Sequence, residues 1–235
     1  IIEFKDIHIL LDSVSLIKSL GGFGEEELIK FENWIDDYLA WLLGSTQGIS
    51  ERAQRNNHGT YYDLQIIAIS KFRCMEELLC KSMINSRLRL LSQIAVSGEQ
   101  PYELVRANNL HYTTFNMQGF VTLWNLTNTC NRFDMFNENT EEYTRLYNGL
   151  KWCINNAVEK RGEYTKFDYD PERLVPLLVA KEKMAKRSIV DCVAELSKLD
   201  SYTPVYHAHD GIQPFWQISY ITRSEEHTSE LQSPM

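Results

Sequence analysis

No apolar run in the sequence approaches the about 18 residues that a membrane helix needs, so nothing here reads as a helical bilayer span. The five cysteines, at 74, 80, 130, 153 and 192, include no CxxC pair and show no metal-ligand spacing. They read instead as buried thiols, with no metal site and no cofactor implied. Sustained apolar/polar alternation bounded by hairpin turns is also missing, which leaves strands a minor role. Basic charge is scarce: the net charge is −8, and this argues against nucleic acid as a partner. The opening IIEFKDIHILLDSV has neither an initiator Met nor the basic start and small-residue cleavage site of a signal peptide, and reads as an internal cut.

What is present suits one globular domain. A chain of 235 residues, 43% apolar and 24% charged, can bury a sizeable core. Its last stretch, RSEEHTSELQSPM, has no apolar periodicity and resembles translated adaptor read-through. The reading therefore places the domain at 1–222 and a non-native tail at 223–235. Dropping that tail removes one Arg and three Glu, and the net charge moves from −8 to −6.

Helical periodicity dominates the rest. In EEELIKFENWIDDYLAWLLG, the residues Leu28, Phe31, Trp34, Ile35, Tyr38 and Leu42 share one face, and Gly44 suits a stop. A polar loop, STQGISERAQRNNHG, is expected next, and then a helix opening at Thr60, with Asp63 completing a near capping box. A third helix is expected from Glu76 to Ile94, presenting Leu78, Leu79, Met83, Leu88 and Leu91. Others are expected in FNMQGFVTLWNLTNTC and from Glu141 through YTRLYNGLKWCINNAVE. Shorter ones are expected in PERLVPLLVAKEKM, with Pro171 at its first turn, and in RSIVDCVAELSKL. Amphipathic helices joined by polar loops imply an all-α fold of stacked antiparallel pairs.

Two tempting motifs carry little. GGFG, Gly21 to Gly24, lacks the Lys-Ser/Thr of a phosphate loop and follows no strand, so it reads as a turn. HAHD, His207 to Asp210, offers two His at i, i+2 that share no helix face, with no third ligand nearby in the pattern.

A stronger signal joins NNHGTYYDLQ to QPYELVRANNLHYTTFNMQG, Gln100 to Gly119. Taken singly, each residue in them has an ordinary use. Asn57 can satisfy free N–H groups at a helix start, His58 can be a bonded structural imidazole, and Tyr112 can be core. Together, in this order, the two segments resemble the alginate lyase domain family of polysaccharide lyases. Across about Leu28 to Leu150 the likeness rests on WL…G…NNHGTYYD…Q, a Pro-x-E-L-x-R phrase and a Y-x-x-F-N phrase.

The resemblance implies an α/α toroid, incomplete here, and a secreted or periplasmic enzyme acting on an anionic polysaccharide. It implies Asn57, His58, Arg106 and Tyr112 as the catalytic set; Arg106 and Tyr112 lie 48 and 54 residues beyond His58. Asn56, His111 and Trp216 are the candidate substrate-binding residues. Such a lyase removes the C5 proton of a uronate and expels the sugar on O4. The substrate carboxylate must be neutralised as the enolate develops, which suits amide, imidazole and guanidinium donors. Tyr112 would transfer protons, provided nearby cations favour its phenolate. When C5–H and O4 share a face, Tyr112 can be both base and acid; when they oppose, His58 can be the base. Two rival classes remain: a non-catalytic carbohydrate-binding toroid, and a glycoside hydrolase using Asp63 or Glu103. The tryptophans Trp34, Trp41, Trp124, Trp152 and Trp216 are candidate sugar platforms, with Trp34 and Trp41 expected in the core.

Overall fold

In the computed structural model of the chain, residues 2–127, 138–159, 169 and 171–186 are described, and all regular structure among them is helical. A 3-10 turn η1 (Ile2–Phe4) leads into α1 (Ile7–Ser19), α2 (Glu25–Gly44) and α3 (Thr46–Ala53). Then come α4 (Asn57–Phe72), α5 (Glu76–Gln93), the short α6 (Pro101–Leu104), α7 (Asn109–Thr127) and α8 (Glu141–Glu159). A second 3-10 turn η2 (Pro171–Leu174) runs into α9 (Val175–Met184).

Helices α4 and α7 lie side by side at the centre, and the others wrap them. Helices α1, α2, α3 and α5 pack on α4, while α8 and α9 pack on α7. From Asn57 to Ser70 every residue of α4 is buried except His58. Leu64, Ile67, Ile69, Phe120 and Leu123 are fully enclosed, each contributing about 1.5–3 kcal/mol through burial.

A helix buried on all sides must also satisfy its polar side chains. Thr60 donates to Gln93 (3.1 Å), and the Asn116 amide donates to Gln93 (2.9 Å) and Gln100 (2.8 Å). Gln100 in turn donates to the Thr113 carbonyl at 2.9 Å, and Gln93 to the Asn56 carbonyl at 3.1 Å. This amide network ties the start of α4 to the middle of α7.

Two helix ends are closed by arginines from elsewhere in the chain. Arg89 of α5 donates to the carbonyls of Gln54 (2.6 Å) and Arg52 (2.9 Å) at the end of α3. Arg145 of α8 donates to the carbonyls of Leu91 (2.6 Å) and Ile94 (2.8 Å) at the end of α5. Such groups have no partner within their own helix. On the other side, Arg73 at the end of α4 pairs with Glu32 (2.6 Å) and Asp36 (2.8 Å) of α2.

Several expectations are corrected. The segment expected as a polar loop contains α3, whose start is capped by the Ser45 hydroxyl accepting from the Gly48 N–H at 3.0 Å. Helix α4 opens at Asn57 and not at Thr60, and α7 opens at Asn109, six residues ahead of Phe115. Trp34 and Trp41 are each 41% exposed, and the buried stripe of α2 is Ile35, Leu39 and Leu42. The two indoles flank Tyr38, with centroids 6.4 and 5.9 Å from its ring. Leu88 also faces outward, and the wall of α5 is built by Met83, Ser86, Leu90 and Gln93. Of the cysteines, Cys153 is buried but Cys74 is exposed, in the turn between α4 and α5 at φ 54°. RSIVDCVAELSKL lies outside the described residues, as do HAHD, Trp216 and the tail at 223–235.

Candidate active site

The NNHG phrase forms the first turn of α4, and each residue in it has a distinct task. Asn56 is the N-cap: its backbone is extended and its side-chain oxygen accepts the His58 N–H at 3.2 Å. Asn57, at the first helical position, is 1% exposed. Its backbone N–H donates to Glu103 Oε1 at 2.5 Å, and its Nδ2 lies 2.9 and 3.1 Å from the two Glu103 oxygens.

His58 is the one residue in the first fourteen of α4 that reaches toward solvent. Its Nδ1 lies 2.7 Å from Glu51 Oε2, near the end of α3. A carboxylate only accepts, so Nδ1 carries the hydrogen and a neutral ring keeps Nε2 as an open base.

Gly59 completes the phrase because no side chain fits there. A Cβ would press into Arg89 Nη1 and the Gln54 carbonyl oxygen, and would lie 2.7 Å from Arg89 Cζ. The Arg89 guanidinium crosses this glycine to reach Asp63, with Nε 2.6 Å and Nη2 3.3 Å from its carboxylate. Asp63 is therefore a buried ion-pair partner and not part of a capping box. Burial pushes its carboxyl up from the ordinary range, and Arg89 draws it back.

The second segment supplies the facing groups. Pro101 begins α6, Glu103 is carried inward on it, and Arg106 follows in the turn before α7. Tyr112 and His111 stand in the first turn of α7, both half-buried. The Arg106 guanidinium sits 3.8 Å from the centre of the Tyr112 ring. That is close contact between a fixed cation and a π-face. His111 meets the Tyr112 ring edge-on at 5.0 Å and lies parallel to Phe115 at 6.1 Å, within an aromatic cluster that includes Tyr61.

Glu103 joins the two segments. It is buried, and burial raises its carboxyl above the ordinary range. The hydrogen bonds from Asn57 and, after them, the charge of Arg106 oppose that rise. The structure thus brings Asn57 onto the Glu103 carboxylate, with His58 next to it in α4 and Arg106 three residues beyond Glu103, its guanidinium over the Tyr112 ring. Asn56 is spent on capping, His111 packs on Tyr112, and Trp216 lies outside the described residues. Sequence reasoning missed Glu51 as a partner of His58. In the sequence Glu103 stands in the Pro-x-E-L-x-R phrase and as a candidate hydrolase carboxylate, and nothing there marks it as the partner of Asn57.

A family model described as alginate lyase matches residues 1–162. The chain belongs to the alginate lyase family. Among solved structures it is similar to the crystal structure of an alginate lyase from Bacteroides ovatus, with a TM-score of 0.74 and 22% identity. That match covers 86% of this chain and 53% of the other, so the chain spans about half the length of that relative. No curated protein matches it. The shared architecture is the helical toroid of this family, and no helix among the described residues is long and apolar enough to cross a membrane.

Proposed function

We propose that this alginate lyase family member cleaves a uronate-containing polysaccharide by β-elimination at the site formed by His58, Arg106 and Tyr112. The observation that carries the reading is the Arg106 guanidinium 3.8 Å from the Tyr112 ring, one turn from a carboxylate shared with the Asn57–His58 helix start. A fixed cation stacked on the ring orients the phenol and can also hold the substrate carboxylate.

In the reaction the C5 proton leaves, the electron pair forms the C4–C5 double bond, and the C4–O4 bond breaks. The departing O4 takes up a proton from Tyr112. Where C5–H and O4 share a face, Tyr112 first accepts the C5 proton and then passes it on. Where they oppose, His58 Nε2 accepts it, because Glu51 holds the hydrogen on Nδ1. Arg106 offsets the charge that builds on the carboxylate as the enolate forms. Asn57, buried with its amide anchored on Glu103, holds the helix start that carries His58. Action on an extracellular or periplasmic polymer is part of this proposal.

The glycoside hydrolase alternative is disfavoured because both of its carboxylates are occupied, Asp63 by Arg89 and Glu103 by Asn57. The test is incubation with polymannuronate, glucuronan and mixed alginates, following ultraviolet absorbance of the unsaturated product. The parent should form product on at least one polymer, and Tyr112→Phe should lose at least about a hundredfold in kcat. Equal rates for parent and variant would remove Tyr112 from the mechanism. Saturable glycan binding without product from either would support the binding-protein reading.

A further inference from the structure

We infer that Glu103 is a positioning residue: its buried carboxylate clamps Asn57 and so fixes the Asn57–His58 helix start against the Arg106–Tyr112 segment. The inference rests on the lyase reading for its catalytic meaning, but the clamp itself is geometric. Glu103 is 1% exposed and stands 46 residues from Asn57 in sequence. It receives the Asn57 backbone N–H at 2.5 Å and the side-chain amide at 2.9 and 3.1 Å. One carboxylate thus satisfies a free N–H of the helix start and orients the neighbouring amide at the same time.

The geometry favours a carboxylate here. Two groups on Asn57, both donors, point at the same acceptor. A glutamine would keep one acceptor oxygen and turn an NH2 group toward donors, so one of the Asn57 bonds becomes a donor–donor contact. An aspartate keeps both oxygens but falls one methylene short. Because α6 also leads directly to Arg106, freeing Glu103 releases the register between the two halves of the site. Catalysis is sensitive to displacements of this size, since reacting groups must be held near contact geometry.

Where the site is a lyase, Glu103 also bears on charge. It stands three residues before Arg106, and a carboxylate there partly offsets that fixed cation. A substrate carboxylate then enters a site whose guanidinium is already held over the Tyr112 ring, so little reorganisation is left for the reaction itself.

The test is a double-mutant cycle of Glu103→Gln and Asn57→Ala, with kcat and KM measured for parent, singles and double, beside amide hydrogen exchange. Glu103→Gln should reduce kcat at least about tenfold while KM changes less than about threefold, the pattern of an interaction used mainly in the transition state. In the Asn57→Ala background the same change should have a clearly smaller effect, because the side-chain contact is already gone and only the backbone N–H bond to Glu103 remains. Exchange of the Asn57 backbone N–H should accelerate in Glu103→Gln whether or not product is formed. Should Glu103→Gln not fold, Glu103→Asp takes its place in the cycle, with a smaller loss of kcat expected. Full additivity, a parent-like kcat in the substituted variant, or unchanged exchange at Asn57 overturns the clamp. A parent without product on any uronan defeats the lyase reading instead, and the exchange result then decides the clamp alone.

Discussion

Gly59→Ala isolates the crossing of Arg89 over the start of α4. The new methyl cannot coexist with the Arg89 guanidinium and the Gln54 carbonyl where they stand. If the backbone gives way, overpacking costs about 1–3 kcal/mol. If Arg89 withdraws, buried Asp63 loses its ion pair, and breaking such a pair costs about 3–5 kcal/mol. Alanine returns at most about 1 kcal/mol of helix propensity. Less that gain, the first route costs about 0–2 kcal/mol and the second about 2–4; with the Gln54 carbonyl and Arg89 each shifting partway, we expect a net loss of about 2–3 kcal/mol.

In a chain of this size that lowers the midpoint of thermal unfolding by roughly 5–10 °C. Gly44→Ala is the control, since a Cβ at the end of α2 meets nothing within 4 Å. It should leave stability unchanged or raise it by up to about 1 kcal/mol. Circular dichroism melts of the three proteins make the comparison, with product formation as a second readout because His58 adjoins the strained turn. A Gly59→Ala protein that melts at or above the parent refutes the steric argument.

Two further expectations concern the interior. Burial pushes the Cys153 thiol up to about 12, so alkylation at mildly alkaline pH should spare it in the native protein while labelling Cys74, with both modified in denaturant; peptide mapping reads the result. Asn116→Leu keeps the volume roughly but strips Gln93 and Gln100 of a shared donor. Gln93 keeps the Thr60 hydroxyl as donor, so the acceptor left unpaired is the Gln100 oxygen, and the fold should be destabilised by about 1–3 kcal/mol, measured by denaturant unfolding.

The outer helices were legible because their faces differ. In α2 and α8 a wet side and a dry side repeat at helical spacing, and their bounds match those expected. The inner helices hid their starts for the opposite reason. Asn57, Thr60, Asp63 and Gln65 in α4, and Thr113, Thr114 and Asn116 in α7, are polar yet buried. Read alone, such residues look like loop or cap; their partners sit on other helices and supply what periodicity cannot show. Helix α3 was missed because TQGISERA has few apolar residues and is completed by Ser45 and Arg89. The candidate site was visible as paired phrases, NNH and the Arg106–Tyr112 segment. Its supporting carboxylates were not, since Glu51 and Glu103 acquire meaning only through contacts made across the fold.

The borrowed caps carry a consequence for how the chain folds. The end of α3 is finished by Arg89, and the end of α5 by Arg145, each supplied by a later helix. Such an early helix therefore cannot reach its full stability until the later helix that caps it has docked. Stability then propagates between neighbours, as in stacked-repeat proteins, where the coupling between adjacent units outweighs what each unit has alone. A break introduced between α5 and α8 should loosen the end of α5 first, and fraying should spread from there toward the amide network beneath His58.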